Sequence, residues 1–151
     1  MLKTILTTFF ISMVPVVELR GAIPYGVARG LPVFYSALIA IVGNMVPVPF
    51  VLLFARTILS YMEQRNQFLK GLAAKLRAKA ERNRKKVERY KFWGLVLLVA
   101  IPLPGTGAWT GALVAAILDE EGVKATCAIF LGVLIAAAIV SMITTGVVVL
   151  N

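Results

Sequence analysis

The chain has 151 residues, 60% of them hydrophobic, with 16 Lys and Arg against 7 Asp and Glu and a formal net charge of +9. A mean hydropathy of +0.88 excludes an ordinary water-soluble domain, whose apolar fraction is near half. One cysteine excludes an internal disulfide, and without histidine zinc, haem and iron–sulfur sites lack their usual ligands. The reading is a single unit, an all-α integral membrane protein with no cofactor and no metal.

In chain order, Thr4 to Val17 is an apolar run that Glu18-Leu19-Arg20-Gly21 interrupts, and the apolar Ala22 to Gly30 follows. Lys3 and the residues after it suit a secretory h-region, but no small-x-small site precedes Glu18, so cleavage is not expected. Val33 to Ala55 carries no formal charge and is long enough to cross a bilayer, which takes about 20 residues. Asn44 falls at its centre, and Pro47 and Pro49 bend it just beyond.

Met62 to Lys91 holds eleven of the basic residues and three of the acids (Glu63, Glu81 and Glu88). A basic connector between apolar blocks belongs in the cytoplasm by the positive-inside rule. Anionic lipid headgroups account for its charge more simply than nucleic acid does. Tyr61, Phe68, Leu72, Leu76 and Ala80 recur at helical spacing, which predicts an amphipathic helix on the membrane surface or against the bundle, broken before Val87. A solvated tether is the other reading. Phe92 to Leu118 is uncharged but contains Pro102-Leu103-Pro104-Gly105-Thr106-Gly107, which breaks a helix. Asp119-Glu120-Glu121 reads as a solvated acidic turn, and Val123 to Leu150 is a second full span.

Each interrupted stretch is either a kinked full span or a re-entrant hairpin of two half-helices. Hairpin tips at membrane depth must be buried in the bundle to satisfy their backbone. The hairpin arrangement is preferred. It divides the chain into a first hairpin (4–31), a transmembrane helix (33–61), the basic cytoplasmic helix (62–91), a second hairpin (92–118) and a last transmembrane helix (123–150). The order repeats, with Gly21-Ala22 corresponding to Gly107-Ala108 and the Gly43 region to the Gly132 region. The hairpins then enter from opposite sides, an inverted repeat of the kind transporters use. Hairpins place the N-terminus outside; four kinked spans place it in the cytoplasm.

Glu18 and Arg20 are the ionisable residues well inside an apolar setting, and such groups face a cavity or one another. Gly21, Pro24 and Gly26 are read as opening the second half-helix, since proline is tolerated at a helix start. Thr106 is expected as an N-cap, with Gly105 and Gly107 allowing close backbone approach. Half-helix starts expose amides and a positive dipole end, which suits an anion. Tight packing around the tips is the structural alternative. Ser36, Ala40 and Asn44, and likewise Ala128, Gly132 and Ala136, form small-residue stripes for close helix packing. Asn44 also qualifies as a substrate contact, and the Trp109 indole as a cavity wall, whereas Trp93 and Tyr90 read as interfacial anchors. Cys127 is a small apolar helix residue. Without a nucleophile–base pair, an enzyme is not expected.

The stretches Glu18-Leu19-Arg20-Gly21-Ala22-Ile23-Pro24-Tyr25-Gly26, Gly43 to Pro49 and Ile101 to Gly111 resemble the small multi-drug export protein family of prokaryotes, which is similar to the wider DedA-like group. The resemblance implies a transporter fold with opposed hairpins in the inner membrane. It also implies that wider-group members move polyprenyl-phosphate carriers or phospholipids, some with protons, and that Glu18 and Arg20 match charged residues of the first hairpin. The expectation is a multi-pass transporter or lipid translocase for an anionic, phosphate-bearing amphipath. Glu18, Arg20, Gly21, Pro24, Asn44, Gly105, Thr106, Gly107 and Trp109 would contact substrate, and Glu18 would exchange a proton, because burial disfavours a charged carboxylate. The alternatives are a proton-coupled exporter of small cations and a non-transporting membrane organiser. Membrane lipids and a small amphipathic substrate are the expected partners, nucleic acid is not, and two tips in so short a chain leave room for a homodimer.

Overall fold

The computed structural model describes residues 1–65, 67, 70, 71, 74, 75, 78, 91–103, 106–118 and 122–150. Among the described residues all regular structure is helical: α1 (Leu2–Met13), α2 (Glu18–Ala28), α3 (Val33–Met45), α4 (Pro47–Arg65), α5 (Lys91–Ala100), α6 (Ala108–Ile117) and α7 (Gly122–Leu150). The 12, 11, 10 and 10 residues of α1, α2, α5 and α6 rise about 15–18 Å at 1.5 Å per residue, roughly half the hydrocarbon thickness. Val33–Ala55 and Gly122–Leu150 are the two stretches long and apolar enough to cross.

Proline sets the first break. Val14 precedes Pro15, is therefore held away from the helical region, and is extended at φ −73°, ψ 127°. The chain turns through 14–17 and α2 begins at Glu18 rather than at Gly21, correcting the expected start. The amides of Glu18 and Gly21 close onto the carbonyls of Val14 (2.9 Å) and Val17 (3.2 Å). Two of the amides at the start of α2 are therefore already paired. Pro24 lies inside α2, where its missing N–H withdraws a donor from the Arg20 carbonyl. Between α3 and α4, Val46 keeps helical angles (φ −57°, ψ −46°) and Pro47 opens α4, as a proline at a first helical position does.

The packing repeats along the chain. α1 and α2 pack on each other and on α3; α5 and α6 pack on each other and on α7. The halves meet where α6 lies on α4 and where α2 and α3 lie on α7. The small-residue stripes face inward as expected, with Ser36, Ala40, Asn44, Ala128, Gly132 and Ala136 all buried. Gly43 and Gly132 do the same job in the two halves. A Cβ on Gly43 would run into Ser12 and the Phe9 carbonyl, and one on Gly132 into Val99 and the Val96 carbonyl.

Large apolar side chains cover the outside as well as filling the core. Thr8, Ser12, Glu18, Ser36, Asn44 and Thr144 are buried, while Phe34, Phe50, Phe54, Leu97, Phe130 and Met142 are exposed. Within each long apolar stretch, 28% is buried, so most of each faces outward. Phe68, Leu72, Leu76, Ala80 and Val87 of the expected amphipathic helix, Tyr90, and the acidic turn Asp119 to Glu121 lie outside the described residues.

Candidate functional site

The site forms where the two breaks meet. Helix α6 starts after Gly107, and its first amides have no partner within the helix. Gly107 has no side chain to cap them. Glu18, 91 positions earlier, does so: its Oε1 accepts from the Trp109 amide at 3.3 Å, and its carboxylate also faces the Ala108 amide. A negative group at a helix N-terminus is favoured by the dipole. Glu18 is 2% exposed and has φ +50°, a left-handed conformation that few side chains adopt. Gly107, at φ +124°, leaves the space, since a Cβ there would overlap the Glu18 carboxylate.

Arg20 holds the other side of the same loop. Its guanidinium donates to the carbonyl of Leu103 and to the carbonyl (2.7 Å) and hydroxyl (2.8 Å) of Thr106. The Thr106 hydroxyl in turn reaches the carbonyls of Ile101 (2.7 Å) and Leu103 (2.8 Å). Arg20 and Glu18 approach each other to 4.0 Å, the outer limit of an ion pair. The Trp109 indole N–H donates to the Met13 carbonyl at 3.0 Å, satisfying an orphan at the end of α1. Glu18, Arg20 and Trp109 thus clasp one break to the other.

Several sequence-derived assignments change here. Thr106 does not cap α6; Gly107 occupies the cap position, and Thr106 turns back into the loop to receive Arg20. The Trp109 indole ties the two breaks together through its N–H. Gly21 packs against Val17 and Pro24 lies further along α2, so neither belongs to the clasp. Gly105 lies outside the described residues. Asn44 is fully buried on α3, and among the described residues neither of its side-chain polar atoms has a hydrogen-bond partner. An anion expected at a half-helix start meets a start already occupied by the protein's own carboxylate, beside an arginine whose guanidinium is engaged by carbonyls. The carbonyls of Met13 and Leu103 lie outside the sequence-derived set of site residues; Pro15, which ends α1, is the local signal for the first break. Among the described residues no group of three or more His, Cys, Asp or Glu side chains could hold a metal ion.

A family model described as "Putative small multi-drug export protein" matches residues 18–139. The chain belongs to this family. Within the export family's matched span lie both charges of the clasp, Asn44, the second break and the buried stripe of α7. Comparison with curated proteins and with solved structures finds no match. The family name suggests transport, and together with the two long apolar stretches it suggests a membrane protein.

Proposed function

We propose that this export-family protein is a multi-pass exporter of small amphipathic cations in the prokaryotic inner membrane, coupled to proton entry through Glu18. The observation that carries this reading is the clasp itself: a buried carboxylate on α2 holds the two helical pairs together through the α6 amides, with Arg20 of the same helix 4.0 Å away. Hydrogen bonds to an ionised acceptor are roughly twice as strong as neutral ones. Protonating Glu18 weakens its hold on α6 and loosens the junction. A cation arriving at the carboxylate displaces the proton and carries the positive charge in its place. Arg20 acts as a positioning residue that keeps Leu103 and Thr106 against α2.

In this reading the pairs α1–α2 and α5–α6 are opposed re-entrant hairpins of an inverted repeat. Their half-span lengths support this, as does the burial of Glu18 where the two breaks meet. A phosphate-bearing amphipath is less well supported, because it would have to pull Arg20 from the Leu103 and Thr106 carbonyls.

The test is flux of a fluorescent lipophilic cation in proteoliposomes under an imposed pH gradient. Wild-type export should follow the gradient. Glu18→Gln keeps an acceptor oxygen for the Trp109 amide, so the fold is retained, and export should become independent of the gradient. Unchanged, gradient-driven export by Glu18→Gln would overturn the proposal.

A further inference from the structure

We infer that Asn44 is a recognition point for the exported molecule and binds a hydroxyl group on it. The inference rests on the export reading and adds a substrate feature that Glu18 does not supply. Asn44 is 0% exposed and lies one turn from Ala40 on one side and Val48 on the other, both in the buried apolar core. Neither its Oδ1 nor its Nδ2 has a partner among the described residues. Buried polar groups are almost always satisfied, and an unpartnered one calls for a specific partner such as a ligand group or an ordered water.

The backbone beside it adds acceptors. Pro47 and Pro49 have no N–H, so the carbonyls of Gly43 and Met45 lose the amide four residues ahead. The height is also right. Gly26 of α2 is packed against Ser36 of α3, and the two helices run in opposite directions across the short connection 29–32. Eight residues back from Gly26 is Glu18, and eight residues forward from Ser36 is Asn44. At 1.5 Å per residue both lie about 12 Å from that contact, so the unpartnered amide and the buried carboxylate share one level of the bundle.

The chemistry selects the ligand group. Oδ1 needs a donor and Nδ2 needs an acceptor. A metal ion answers only the first. A hydroxyl answers both, and an amphipath with an ammonium for Glu18 and a hydroxyl for Asn44 satisfies the two sites together.

The test uses the full chain in mild detergent and two probes of equal charge, decyldimethyl(hydroxyethyl)ammonium and decyldimethyl(ethyl)ammonium, with affinity read from the ligand-dependent shift of the unfolding temperature. Wild type should bind the hydroxylated probe roughly tenfold more tightly, as one or two hydrogen bonds provide. Asn44→Leu, which keeps the volume and loses the amide, should bind both probes alike and unfold at a higher temperature without ligand. If Asn44→Leu does not fold, Asn44→Ala takes its place and should likewise lose the preference. Equal binding of the two probes by wild type, failure to bind either, or a preference that survives in the variant would overturn the inference. Proton coupling is read separately from Glu18→Gln flux, so a preference that depends on Asn44 beside gradient-driven flux in Glu18→Gln would sink the coupling alone.

Discussion

At the scale of single residues the molecule is governed by Glu18. A non-glycine residue at positive φ costs on the order of 1–3 kcal/mol and persists where its surroundings over-determine it. Here the carboxylate over-determines it by reaching the α6 amides. Gly107 is the complementary requirement, through its own φ of +124° and through the space it leaves. Gly107→Ala should therefore lower the stability of the detergent-solubilised chain by more than the roughly 1–3 kcal/mol of backbone strain alone. Gly30→Ala is the control, because Gly30 has φ +88° but open space around its Cα. Equal losses in denaturant unfolding would mean that the carboxylate is not held against Gly107. The importance of Glu18 and Arg20 was legible in the sequence because charges in an apolar stretch are conspicuous. Their partners were not, because nothing local in residues 14–21 refers to an amide 91 positions away.

At the scale of elements, the half-length helices come from breaks and the close contacts from glycines. Pro15, Pro102 and Pro104 interrupt runs that hydropathy alone would have drawn as continuous. The first break lies at 14–17 rather than at Glu18 to Gly21, because Pro15 restricts Val14 whereas the charged residues that follow are compatible with a helix. The correspondence of Gly43 with Gly132 has a physical basis: each lets a long helix approach the first helix of the preceding pair. Gly43→Val and Gly132→Val should each cost about 1–3 kcal/mol by overpacking. Lying in separate halves, they should add in the double variant to within about 0.5 kcal/mol. Unfolding of the single and double variants in detergent measures this, and strong non-additivity would mean that the two contacts are not independent.

At the scale of the whole molecule, the large exposed apolar residues match a lipid surround, and the proposed hairpins make a topological prediction. Hairpins place Lys3 outside, whereas kinked spans place it in the cytoplasm. In a Cys127→Ala background, which removes the exposed native thiol, Lys3→Cys should react with an impermeant maleimide added to intact cells. Lys75→Cys, in the basic connector, should react only after the cells are opened. Protection of Lys3→Cys in intact cells would favour four kinked spans.

The helical class, the two stretches long and apolar enough to span a bilayer and the two interruptions were set by hydropathy, proline and glycine, because those signals act on the backbone within a few residues. Which carboxylate caps α6, which carbonyls receive Arg20, and that Asn44 is buried without a partner were decided only by tertiary structure. Orphan donors and acceptors at a helix end specify that a partner is needed. Which group becomes that partner depends on what the packed chain brings within about 3 Å.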